Sequence, residues 1–498
     1  MKAPSNQPLL SLMVCLFLAS MFVFRISISV VDPDIWHEMA LIRESITMGH
    51  ILTQDIFAYT PTLSPVVHHE WGAGAIAYFL AIQFGPQSII FAKYLLACLI
   101  AALSVICARR RGTHLSVLAF VLPVGILLID YGFSPIRAQL YTYIFVAALL
   151  IFIDLDRKGN RRWTLFWIPM FVVWINLHGG FTFGFLLLGA HWLEQVLRRK
   201  PHLHLIILGA VMTLLIMVNP YGPSYYPYIW HALIMARPHI AEWGPLWRDT
   251  SHHIGAFVVS ALLLAYSVVK IGFPKSEGVI PVLACALAAI VHNRFIDLYA
   301  LAWVCYVPAY VQITSLGESM TRVFYEWRRS LVALWSLASM LFIFRTMTLQ
   351  AFHLLVPGQP NENFPNAFFY PVGAVEYLKE QSFNGNLMVP FDYGAYASWK
   401  LYPAVKVSID SRYEVAYPAR VEEEMHRFYG GDGWRKILDT YPSDLVLVPK
   451  RLPLADLMPQ TSGWHKVYSD RAFELYCRNG LGLPSVDRSD HIFWGAFP

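Results

Sequence analysis

The sequence predicts a polytopic α-helical membrane protein of 11 to 13 transmembrane helices that ends in a C-terminal extracytoplasmic α/β domain. Three observations predict it. Of 498 residues, 56% are hydrophobic and only 14% charged, where soluble domains carry about 25% charged residues. The apolar residues fall into a long series of runs, separated by short turns in which lysine and arginine collect. Near Pro357 the pattern changes, and short strand-like and helix-like segments alternate to the end. The expected division is a membrane domain at 1–355, with its first outer loop at 31–71, and an α/β domain at 356–498.

The first run, 9–31, is long for a signal peptide and has no small-residue cleavage site, so it reads as a retained signal anchor. Further runs lie near 72–84, 87–108, 115–130, 138–155, 163–177, 181–197, 203–219, 254–270, 278–292, 296–315 and 330–350. A full span needs about 20 residues, so the shorter runs are kinked, tilted or re-entrant. Basic clusters punctuate them: Arg109, Arg110 and Arg111; Arg157, Lys158, Arg161 and Arg162; Arg198, Arg199 and Lys200; Lys270 and Lys275; Arg322, Arg328 and Arg329. By the positive-inside rule these turns face the cytoplasm, and everything after about residue 351 lies outside. Topology therefore explains the net charge of +5, and no nucleic-acid partner is needed. One run fits badly. Either 72–84 does not cross, or it crosses and Arg109, Arg110 and Arg111 break the rule. The six cysteines show no metal or redox spacing and read as packing residues.

In the tail, 361–370 reads as a Pro/Asn/Phe linker and 371–379 as a short helix by its apolar spacing. Segments 387–390 and 405–409 read as strands joined across the aromatic stretch 391–399. Helices are expected at 421–429 and 434–441, a buried strand at 444–448, and a terminal hairpin at 464–468 and 472–477. Alternating strands and helices imply a small α/β domain.

Polar chemistry is unevenly placed. The cytoplasmic turns carry little beyond lysine and arginine, whereas the outward turns hold Asp130 and Tyr131, Arg137, the stretch WINLHGGF at 174–181, NPYG at 219–222, Glu242 and Trp243, Arg248 and Asp249, and HNRF at 292–295. Asp32 and Asp34 open the first loop. One of them can cap a helix beginning near Ile35, and a carboxylate held at the membrane surface can equally serve as general base. Asp34 is better placed, with Trp36 and His37 following and Glu38 one turn on. His68, His69 and Glu70 close the loop. A carboxylate with imidazoles suits a divalent metal ion, with Glu70, His69 and His178 as candidate ligands, although an interfacial cluster anchored by Trp71 accounts for the same residues. Arg137, Arg294 and Arg248 are arginines on the outward face, suited to gripping the phosphate of a lipid donor; pairing with Asp130, Asp249 or Asp297 is the plainer alternative. No P-loop, no GxGxxG after a strand and no GxSxG occurs, which removes support for ATP-driven transport and hydrolase chemistry.

DPDIWHE at 32–38, DIFAYT at 55–60 and HEW at 69–71, with WINLHGGF, NPYG, EW at 242–243 and HNRF, resemble the outer loops of a bacterial branch of the GT-C superfamily of membrane glycosyltransferases. FDYGAYASWKLYP at 391–403 and VSIDSRYEV at 407–415 extend the resemblance into the tail. That branch is similar to the protein O-mannosyltransferases and aminoarabinose transferases. The resemblance implies a GT-C-like fold, a polyprenyl-phosphate-sugar donor, inverting transfer to a glycan, lipid or protein acceptor outside the membrane, and contact with membrane lipids. It also implies a catalytic acid in the first outer loop, which by position is Asp34, with Asp32 as alternate and Glu70 as the second acidic group. Aminoarabinose transferases carry Lys-Pro-Pro after that second acid, whereas Trp71, Gly72 and Ala73 stand here, so their phosphate clamp is not carried over.

Two rival functions remain at this level. A transporter or flippase of lipid-linked glycans would need charged groups deep in the spans; Arg25 and Lys93 are the candidates, without an obvious partner. A non-catalytic membrane assembly protein would keep the fold alone.

Overall fold

The structure is a computed structural model that describes residues 7–28, 30–129, 132–249, 251–360 and 368–498. Asp130, Tyr131 and most of the expected linker at 361–370 lie outside the described residues. Among the described residues, six helices are long and apolar enough to cross a membrane: Pro8–Arg25, Gln87–Arg110, Gln139–Arg157, His253–Ile271, Asn293–Gln312 and Arg328–Thr348. Shorter apolar helices occupy Trp71–Phe84, Leu115–Leu128, Trp163–Leu177, Leu203–Leu215 and Val279–Val291. The chain is an integral membrane protein. It divides into two compact units, Met1–Ser29 with Ile90–Ile216 and Ala236–His353, and Val30–Ile89 with Met217–Met235 and Leu354–Pro498.

The first unit is a helical bundle graded from centre to rim. Asn293–Gln312 has 89% of its apolar window buried, while Arg328–Thr348 has 17%. At one end of the bundle the basic turns meet. Arg157 Nη2 lies 3.2 Å from Glu194 and Arg198 Nε 2.9 Å from the same carboxylate, which also accepts the Gly278 N–H. Asp154 pairs with Arg111 and Lys158, and Asp156 with His191, His204 and the Trp163 indole. The expectation that these turns carry little beyond lysine and arginine is therefore corrected. Asp154, Asp156, Glu194 and Glu277 neutralise them, because a cation as buried as Arg157 requires a partner.

The same unit settles the direction of the first helices. Leu10, Leu115 and Leu331 share one apolar cluster, so the helices they begin all start at the basic end. At the far end Arg25 Nη2 donates to Ile129 O, and Lys93 Nζ to Ile26 O and Ile28 O, at 3.3, 2.8 and 2.5 Å. The chain thus leaves this unit after its first helix and re-enters it through Gln87–Arg110 at the same end. Arg25 and Lys93, expected to lack partners, saturate helix-end carbonyls that would otherwise be unpaired.

In the second unit, α1 (Pro33–Met48) starts where Asp32 Oδ1 accepts the Asp34 N–H at 3.1 Å, with Pro33 in the first helical position. It packs on α2 (Trp71–Phe84), where a Cβ on Gly74 would come within 2.7 Å of Glu38 O; only glycine permits that approach. The tail supplies α3 (Val372–Glu380), β1 (Gly385–Met388), α4 (Phe391–Leu401), β2 (Val405–Val407), α5 (Ala419–Tyr429), α6 (Trp434–Thr440), β3 (Leu445–Pro449), β4 (Trp464–Ser469), β5 (Phe473–Arg478) and β6 (Val486–Asp487). They form one sheet in the order β2-β1-β3-β5-β4-β6, parallel across β1 and antiparallel through β3, β5 and β4. The aromatic stretch 391–399, expected as a connection, is the helix α4. Its Gly394 lies directly against Ile409 O, and Tyr396 packs edge-on to Trp36 of α1.

The first loop extends this sheet. Tyr59 N–H donates to Val407 O and Val407 N–H to Phe57 O, both at 3.0 Å, so residues 57–59 run along the open edge of β2. An uncovered edge invites pairing with another chain, and the loop closes it. Arg412 locks the join. Buried between Phe57 and Tyr417, it pairs with Asp55 at 2.5 Å and with Asp410 at 2.7 Å.

Candidate active site

Each unit holds one polar group of the kind the sequence singles out. In the second unit it is built on α1 and the start of α2. Asp32 is buried and spent on capping, while Asp34, in the first turn of α1, is partly exposed. The positive end of a helix favours negative charge in that turn. One turn on, Glu38 is buried beside Glu70. Burial raises its carboxyl well above the usual range, and the charge of Glu70 and a hydrogen bond to it raise it further, with Asp34 and Asp32 adding to the effect. Glu38 accordingly keeps its proton and donates it to Glu70, since two carboxylates in contact cannot both ionise.

Glu70 in turn lies 3.2 Å from His69 Nε2, and His69 Nδ1 lies 2.6 Å from the Tyr228 hydroxyl, with the two rings stacked at 5.5 Å. A hydrogen-bonded line therefore runs Glu38, Glu70, His69, Tyr228. His37 reaches Ser411 Oγ at 3.0 Å, and burial lowers its pKa to about 4 despite the opposing pull of Asp410. Burial and Arg412 hold His68 well below its ordinary value. Both imidazoles are neutral at pH 7.

In the first unit the polar group is centred on Glu242. Its Oε2 meets Arg137 Nη1 at 2.9 Å and its Oε1 meets Arg294 Nη1 at 3.5 Å. Burial works to raise this carboxyl, but the two arginines outweigh it and hold it down to about 2. The guanidinium carbons of Arg237 and Arg294 stand 4.2 and 4.4 Å from the Trp243 ring. His292 Nδ1 contacts Trp243 O at 2.7 Å, and Asn293 N–H donates to Gly244 O at 2.9 Å. The HNRF turn thus fixes the EW turn.

Of the three arginines singled out from sequence, Arg137 and Arg294 come together, whereas Arg248 is exposed at the end of the turn Leu246–Arg248. Of their expected aspartate partners, Asp130 lies outside the described residues and the other two make further contacts. Asp249 binds His253 and Asn293, and Asp297 accepts Gly132 N–H and the Tyr143 hydroxyl. His178 caps a turn, its Nδ1 accepting Gly180 N–H and lying 2.7 Å from Thr142 Oγ1. It belongs to the first unit, and Glu70 and His69 to the second. Arg412, Tyr228 and Arg237 were not marked out. Arg412 is one residue within an otherwise legible motif, and a tyrosine or arginine in a long loop carries no spacing signal.

Neither a family model nor a curated protein sequence matches the chain. Among solved structures it is similar to ArnT from Cupriavidus metallidurans bound to undecaprenyl phosphate, with a TM-score of 0.54 and 13% identity, over 97% of this chain and 100% of that one. The likeness shows the fold, that of a polytopic helical membrane protein with a C-terminal α/β region.

Proposed function

We propose that the protein is a glycosyltransferase that moves a sugar from a polyprenyl-phosphate-linked donor to a glycan, lipid or protein acceptor on the extracytoplasmic side of the membrane. The observation that carries this reading is the likeness, over nearly the whole length, to a protein holding undecaprenyl phosphate, joined to a first loop whose acids are built into the fold. Asp34 is the base. The acceptor oxygen attacks the anomeric carbon from the face opposite the phosphate, its proton passes to Asp34, and the C–O bond to phosphate breaks with its electron pair left on phosphate. The configuration inverts. Asp32 holds the turn that presents Asp34, and the proton on Glu38 removes a charge that would repel it. Arg137 and Arg294, with Arg248 at the surface, receive the phosphate and balance the charge it gains. Glu70 and His69 are the residues a divalent cation would take, replacing their mutual contact.

A flippase would use its in-span charges, and here Arg25 and Lys93 are committed to helix-end carbonyls. Purified protein supplied with a polyprenyl-phosphate sugar and an acceptor should release polyprenyl phosphate. Asp34→Asn should lower turnover by about 10²–10⁴-fold with an unchanged melting temperature. Full turnover in that folded variant would remove Asp34 from the chemistry.

A further inference from the structure

Glu242 is placed like a ligand. One carboxylate, with its charge spread over two oxygens, gives one oxygen to Arg137 and the other to Arg294. A phosphodiester offers the same pattern, two non-bridging oxygens sharing one negative charge, and arginine forks suit either group. The grip is uneven, close at Arg137 and 3.5 Å at Arg294, and the three side chains remain 17–24% exposed, so another anion can reach them. The turn that carries Glu242 is held by contacts other than its carboxylate. The backbone is pinned through Trp243 O and Gly244 O, and Arg294 also lies against the Trp243 ring. Only the Glu242 side chain has to turn.

We propose that Glu242 holds the place of the lipid-linked phosphate on Arg137 and Arg294 and exchanges with it in each catalytic cycle. This rests on the donor reading given above. The exchange has a use at the end of the cycle. Transfer converts a phosphodiester carrying one negative charge into a monoester carrying about 1.5 to 2 at pH 7, which two arginines would hold more tightly than the donor. A resident carboxylate that competes for the same guanidiniums promotes its release. Because the arginines keep Glu242 ionised down to about pH 2, the competitor is present at every physiological pH.

The test uses purified full-length protein with undecaprenyl phosphate as the probe. Glu242→Gln keeps the shape and removes the charge. It should tighten undecaprenyl phosphate binding by about tenfold, since a binding-competent state that is a minor fraction weakens apparent affinity by that fraction. In steady state, KM for the donor and kcat should fall together, because the product is held. Arg137→Ala and Arg294→Ala should each weaken binding by at least about tenfold. Unchanged or weaker binding in Glu242→Gln, with the arginine variants impaired, overturns the exchange and leaves the phosphate site standing. Unchanged binding in the arginine variants overturns the phosphate site itself. Should the glutamine variant fail to fold, Glu242→Asp shortens the reach and must also tighten binding for the proposal to survive.

Discussion

Glu38 and Asp34 stand one helical turn apart on the same helix and have opposite needs. Asp34 is wet enough to exchange a proton, while Glu38 is sealed against Glu70 and retains one. The retained proton has a measurable cost. Above about pH 4.5 the unfolded chain releases it and the folded chain does not, so the folded state loses stability as pH rises until Glu38 itself titrates. Glu38→Gln, a neutral isostere of the protonated acid, should lack this loss. Its melting temperature relative to wild type should climb as pH rises above about 4.5, the gap opening by up to about 1.4 kcal/mol per pH unit, with turnover largely retained. A constant gap would mean that Glu38 is ionised in the folded protein. His37 moves stability the other way: with its pKa lowered to about 4, its contribution is complete above 6.5 and is lost as pH falls toward 4. The sequence made Asp32, Asp34 and Glu70 conspicuous, because acids beside apolar runs are rare. It could not show that Glu38 and Glu70 share a proton, since that follows from the packing of two helices at Gly74.

At the scale of elements, the two motifs DIFAYT and VSIDSRYEV are halves of one join. Their residues pair along β2, and Asp55, Asp410 and Arg412 close the contact. Removing one member of a buried ion group strands the others and costs about 3–5 kcal/mol. Arg412→Ala should therefore lower the melting temperature sharply and expose the loop at 49–70 to proteolysis. Arg412→Lys should rescue little, because a single ammonium cannot make the two-pronged contact with Asp410. Normal protease resistance in Arg412→Ala would show that the edge pairing suffices alone. Most strands and helices of the tail were legible to within a residue or two from β-branched runs such as LVLVP and from apolar spacing. The helix Phe391–Leu401 was not, because five of its eleven residues are aromatic or glycine, types that favour strands or interrupt helices. Burial against Trp36 and the close approach at Gly394 override that preference.

For the whole molecule the question is which side each end faces. The positive-inside reading assigns the basic turns to the cytoplasm, and the structure gathers those of Arg111, Arg157 and Arg198 into one ion network, so they share a side whichever side it is. The acids in that network were invisible to a rule that counts only lysine and arginine. Helix Pro8–Arg25 begins at the basic end, and Gln87–Arg110 begins at the end where that first helix finishes. The N-terminus should then be cytoplasmic, and the first loop and the tail outside. Single cysteines test this directly. The background is favourable, because four of the six native cysteines are buried and Cys15 and Cys98 sit on apolar helices. In intact cells a membrane-impermeant maleimide should label Asp490→Cys in the tail and leave Asn160→Cys, in the basic turn, unlabelled until the membrane is opened. The reverse pattern would put the acids of the first loop in the cytoplasm, where a donor presented at the outer leaflet cannot reach Asp34, and the proposed transfer would fail with its topology.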